Sequence, residues 1–187
     1  MDAWIAIGLA YLATRRAMPA LGASAAVLRL RAQPEYRTLR PELQQGLDRI
    51  ADELARKGIP IQIVPRTGGA RTWAQQAAEY AKGRTVKSPV GPYTVSKPLG
   101  ATVTNAPPGQ SPHTTLGDDG KPLSAAVDVF FGDWERPRDK NQNDQDDWLE
   151  LELAAGNTGL ETLARAGDYG HIQLPNWRAL PQPKTLG

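Results

Sequence analysis

Apolar residues recur along this chain with two different periods, and the switch between them marks out the elements. Leu43, Leu47, Ile50, Ala51 and Leu54 follow one another at steps of four, three, one and three residues, which lines one face of a helix. Pro41 fits the first turn of that helix and Gly58 its C-terminal stop. Ile61 to Val64, with Gln62 between two isoleucines and a proline on either side, predicts a short strand. Thr72 and Gln75 form the two halves of a capping box, so a second helix is expected from there to near Gly83. Residues 86–110, rich in Pro, Gly, Thr and Val, predict loops and short strands. Ala125 to Phe131 is an apolar run broken only by Asp128. Asp133 to Asp147 reads as a solvated loop, Trp148 to Ala166 as helix with a break near Gly156, and Tyr169 to Leu174 as a final strand. Strands and helices do not alternate regularly and no internal repeat is present. The pattern therefore predicts an α+β fold rather than a doubly wound parallel sheet.

The first 35 residues stand apart from residues 36–187, where a domain is expected to begin near Tyr36. Trp4 to Leu12 is uncharged and mostly apolar, ahead of Arg15 and Arg16, and the Ala-rich stretch from Ala17 to Leu28 is interrupted by Pro19. Neither run reaches the roughly 18 residues a membrane span needs. Asp2 precedes the apolar run and the arginines follow it, the reverse of a signal peptide. The extension is expected to be an amphipathic helix packed on the domain or on a partner, with a weak membrane-associating or export element as the alternative.

Composition narrows the chemistry. At 187 residues, 40% hydrophobic and 22% charged, the chain is long enough for one domain with a real core and unlike a disordered segment. Its 22 basic residues nearly balance 20 acidic ones. A pI near 9 permits attraction to anionic cell-wall polymer. No basic run is interleaved with aromatics, so nucleic acid is not an expected partner. The absence of cysteine removes disulfides, thiol nucleophiles and Cys-type zinc sites together. Only two histidines are present, His113 and His171, so any transition-metal site must combine them with carboxylates.

Four places carry candidate chemistry. Asp128 lies inside an apolar run, where a buried carboxylate needs either a metal or an arginine partner. Asp168-Tyr169-Gly170-His171 sets a carboxylate three residues before a histidine, which suits a base beside a metal ligand but equally an ordinary surface turn. Ser111-Pro112-His113 follows a Pro/Gly-rich loop and reads as a ligand or as an exposed loop histidine. Arg71, with Gln76 one turn on, can grip a carboxylate or stabilise developing negative charge, or can simply face solvent. Together, two histidines and one aspartate supply the three N/O ligands of a catalytic zinc, with the fourth position left for water.

Several segments occur in a familiar order. They are Arg71-Thr72 with Gln76, Tyr80-Ala81-Lys82-Gly83-Arg84-Thr85, Val103-Thr104-Asn105-Ala106, Ser111-x-His113, Ala126-x-Asp128 and Asp168-x-x-His171. Over residues 40–178 this order resembles the zinc peptidoglycan peptidases that include D-alanyl-D-alanine carboxypeptidases and the L-alanyl-D-glutamate endopeptidases of phage endolysins. One departure is clear. The family pattern places the aspartate seven residues after the first histidine, whereas His113 and Asp128 are fifteen apart here. The extra segment around Asp118-Asp119-Gly120-Lys121-Pro122 reads as a turn-rich insertion between two strands, cheap in closure entropy. It introduces Asp118 or Asp119 as a competing ligand, with Asp128 preferred for its Ala-x-Asp-Val context.

The resemblance implies a hedgehog-like fold, a small antiparallel sheet flanked by helices with Zn2+ on the sheet face. It implies His113, Asp128 and His171 as metal ligands, Asp168 as general base, and Arg71 as oxyanion stabiliser or carboxylate clamp. Ser111 and Gln76 would support the site or contact substrate, and the loop across 86–110 would line the cleft. The implied activity is hydrolysis of peptidoglycan stem peptides, most closely the L-alanyl-D-glutamate endopeptidase branch. The alternatives are a D,D-carboxypeptidase or dipeptidase, and a non-catalytic cell-wall-binding module. Action in the periplasm or cell wall is expected, reached by release as an endolysin.

Overall fold

The computed structural model describes residues 22–83, 102–131, 142–143 and 145–183. The Trp4–Leu12 run, residues 84–101 and most of the polar stretch after Phe131 lie outside them. Among the described residues there are four α-helices: α1 (Gly22–Arg31), α2 (Pro41–Arg56), α3 (Trp73–Ala81) and α4 (Asp147–Asn157). Four strands, β1 (Gln62–Ile63), β2 (Ala126–Phe130), β3 (Glu161–Leu163) and β4 (Asp168–Gln173), form one antiparallel sheet in the order β1-β2-β4-β3. The protein is α+β, as the pattern predicts.

Helix α2 forms where the apolar spacing places it. Leu43, Leu47, Ile50, Ala51 and Leu54 are all buried on its inner face. It ends in a Schellman motif: Gly58 adopts φ +85°, its N–H donates to Ala55 O, and Ile59 N–H reaches back to Leu54 O at 3.0 Å. Thr72 and Gln75 cap α3 reciprocally, closing the box read from the sequence.

Strand β2 divides the molecule into two sides. Side chains alternate across a strand, so Val127 and Val129 enter the core with Ile172 of β4, Leu47 and Ile50 of α2, and Leu151 and Ala154 of α4. Ala126 and Asp128 face the other way, with His171 and Gln173 opposite them in register. Helix α1 packs on α2 and contributes the fully buried Leu30 to the same core. Arg31 ties the two helices through Asp48 at 2.6 Å, and the Tyr36 hydroxyl donates to the other oxygen of that carboxylate at 2.9 Å. No helix among the described residues is long and apolar enough to cross a membrane.

The expected helix from Trp148 to Ala166 is half right. It stops at Asn157, because Gly159 takes φ +76° and Leu160 N–H turns back onto Ala155 O. The rest becomes β3, hydrogen-bonded to β4, and a short 3-10 turn over Ala164–Ala166.

Candidate metal centre

The site is organised by the loop between β1 and α3. Asp128 is held on both sides of its backbone: its N–H donates to Gly68 O at 2.9 Å and its carbonyl accepts from Val64 N–H at 2.9 Å. The next carbonyl, Gly69 O, accepts from His113 Nδ1 at 2.9 Å, and Arg71 N–H donates to His113 O at 2.8 Å. Thr67 O receives Arg71 Nε at 2.8 Å. One loop thus positions an aspartate, a histidine and an arginine from three separate segments. Thr38 fixes the loop from outside, its hydroxyl accepting from Ala70 N–H.

His113 sits in a 3-10 turn over Pro112–Thr114, whose N-cap is Ser111; the Ser111 hydroxyl accepts from His113 N–H. His171 reaches the same place from β4, because the antiparallel register sets it directly across from Asp128. Gly170 allows that pairing. A Cβ there would lie 2.3 Å from Val129 O, so any side chain would push β4 off β2 beside the site. Gly170 therefore works in a strand through close approach and not in a turn.

The three side chains converge. His171 Nδ1 is 2.9 Å and His113 Nε2 3.3 Å from the same oxygen, Asp128 Oδ1, and the two rings meet edge to face with centroids 5.2 Å apart. The other carboxylate oxygen, Asp128 Oδ2, takes Arg71 Nη2 at 2.5 Å. Both histidines are buried. Burial works against charge on Asp128, but the nearby His113 and the hydrogen bond and charge of His171 outweigh it and hold the carboxyl well below the usual range. Burial pushes His113 down, and it pushes against His171 too, where the hydrogen bond and charge of Asp128 prevail and raise it.

This group of His113, Asp128 and His171 is able to hold a metal ion, and one orphaned atom tests the fit. Gly69 O can only accept, so His113 Nδ1 carries the proton and Nε2 presents a lone pair. That buried Nε2 has no hydrogen-bond partner. It faces Asp128 Oδ1, another acceptor, across 3.3 Å. Two lone pairs aimed at one point call for a cation, and the mixed nitrogen–oxygen donor set is one that zinc accepts.

The centre lies in a cleft of about 940 Å³, lined also by Thr102–Pro107, Asp168, Trp177 and Arg178. Asp168, at the start of β4, is exposed on this cleft; partial burial, then the negative charge of Asp128, raise its pKa. Arg178 is exposed and stacks over the Trp177 ring, 4.6 Å from its centroid.

The other expected residues fall as follows. Gln76 is fully buried and does not line the cleft; its Oε1 accepts from Arg71 and its Nε2 donates to Ala106 O at 2.8 Å, so it supports Arg71 from behind. Ser111 lines the cleft but serves the His113 turn. Asp118 and Asp119 stand outside the cluster. They lie in a tight loop closed by Gly117 N–H to Lys121 O, where the exposed Asp119 pairs with Lys121. Four contributors went unseen in the sequence reading: Gly68, Gly69, Gln173 and Glu161. Gln173 Oε1 meets His171 Nε2 at 3.0 Å, and Gln173 Nε2 donates to Glu161 Oε2 at 3.1 Å. The adjacent Gly68-Gly69 between a strand and a capping box was the one local signal available.

No model of a known protein family matches the chain, and no curated protein matches it either.

Proposed function

We propose that this protein is a zinc-dependent peptidase of peptidoglycan stem peptides, cutting between L-alanine and D-glutamate. The observation that carries the reading is the convergence of His113 Nε2, Asp128 Oδ1 and His171 Nδ1 in an open cleft that Asp168 also lines. The bond assignment rests on the order of sequence segments that resembles the endolysin enzymes. His113, Asp128 and His171 would hold the zinc, which would supply Lewis-acid chemistry toward a peptide carbonyl and water. Asp168 accepts the proton of the attacking water at its carboxylate and returns it to the leaving amine, a role typically worth roughly 10²–10⁴ in rate. Its raised pKa suits it to both directions of that transfer. Arg71, joined to Asp128, orients the ligand rather than the substrate. Arg178 has no acidic partner among the described residues, which leaves its guanidinium available to a substrate carboxylate.

The test measures bound metal and muropeptide products on the same preparation, with and without chelator. One zinc per chain and chelator-sensitive release of new N-terminal D-glutamate are expected. Free D-alanine would keep the site and move the bond. Neither metal nor cleavage would overturn the reading.

A further inference from the structure

Resting on the metal reading above, the geometry points to Glu161 as the outer partner that, through Gln173, holds His171 with Nδ1 toward the metal position. Glu161 is neither in the ligand cluster nor in the cleft lining, but its partner Gln173 lines the cleft. It sits exposed on the edge strand β3, directly across from Gln173 in the β3–β4 register. Its influence travels through one amide.

The logic is one of donors and acceptors. A carboxylate can only accept, so Glu161 Oε2, 3.1 Å from Gln173 Nε2, fixes the amide with its NH2 outward. The Gln173 oxygen is thereby turned inward, 3.0 Å from His171 Nε2. That oxygen can only accept, so it holds a proton on Nε2 and leaves Nδ1, 2.9 Å from Asp128 Oδ1, as the nitrogen for a metal; without a metal, Nδ1–H donates to that carboxylate. An amide alone does not dictate this, since its two ends are nearly the same shape. Glu161 breaks the symmetry. Outer partners of this kind typically govern metal affinity by 10- to 100-fold.

Substituting Glu161 gives an order that a merely structural role would not produce. Glu161→Gln lets the Gln173 amide sit either way, and zinc affinity should fall about tenfold. Glu161→Lys offers a donor, which turns the amide over and faces its NH2 to His171 Nε2, where a metal on Nδ1 would leave one N–H against another; affinity should fall about a hundredfold. The double variant Glu161→Lys/Gln173→Glu restores an acceptor-only group beside His171, with the lysine now paired to it, and affinity should recover. Zinc affinity is read by competition with a chromophoric chelator, and folding of each variant by thermal unfolding. Equal zinc affinity in folded Glu161→Lys would overturn the proposal, as would a folded double variant that fails to recover. A parent that binds no zinc would overturn the metal reading and the proposal together, an outcome distinct from equal affinity across variants that do bind.

Discussion

Asp168 and His171 share one short strand, and the proposed function gives them different duties that substitution separates. Asp168→Asn keeps the size and loses the base. Turnover should drop by roughly 10²–10⁴ while bound zinc is retained, checked by steady-state kinetics beside metal analysis. Because partial burial and Asp128 raise the Asp168 pKa, its carboxylate is lost on acidification earlier than an ordinary aspartate. The acid limb of kcat/KM should therefore lie above that of an ordinary aspartate and be missing from the Asn variant's residual rate. Gly170 carries a different kind of constraint. Gly170→Ala drives a methyl against Val129 O, 2.3 Å from the ideal Cβ. The strand must shift, costing about 1–3 kcal/mol of stability in a urea titration, and zinc affinity should fall with it. At this scale much was legible. With only two histidines and no cysteine, ligand candidates were few. Asp128 was exposed as a candidate by its apolar surroundings. Glu161 and Gln173 were not legible, because their roles come from strand register rather than from anything local to their neighbours in sequence.

Elements with strong period and clear end signals were read correctly, and α2 is the best case, with its apolar face and its glycine stop both in place. Leu160 to Ala166 misled because Leu, Ala, Glu and Arg all favour helix. Pairing of Glu161, Thr162 and Leu163 along β4 overrode that preference once Gly159 had ended α4. Helix α1 shows the limit of periodicity in another way: it has no clean apolar stripe, and the buried Leu30 together with the Arg31–Asp48–Tyr36 contacts attaches it to α2. Burial, reinforced by the hydrogen bond to Asp48, pushes the Tyr36 phenol up to about 12. A raised folded pKa contributes stability that is complete below the unfolded value of about 10 and is lost as pH climbs through the folded one. Urea midpoints should thus decline between about pH 10 and 12, and Tyr36→Phe should flatten that part of the curve while lowering stability near neutrality by about 1.5–3 kcal/mol for a bond to a charged group. A decline of equal steepness in the Phe variant would assign the alkaline loss to other groups.

The whole molecule gathers His113, Asp128 and His171 from three stretches of chain, and the meeting requires the β2–β4 register to be complete. That arrangement has a kinetic consequence. A coordination sphere whose members are joined only by such distant pairings cannot be present until most of the native topology is, so the ion has nothing to grip early in folding. Zinc should leave the refolding rate almost unchanged and act on the unfolding limb of the chevron. At a hundredfold excess over Kd the stabilisation is about 2.7 kcal/mol, which corresponds to unfolding slowed about a hundredfold. Stopped-flow unfolding with zinc and with chelator reads that ratio directly, and a matching acceleration of refolding would instead place the ligands together in the transition state. On this account the metal is a late clamp, and the loaded protein's endurance would be set by how slowly it lets go.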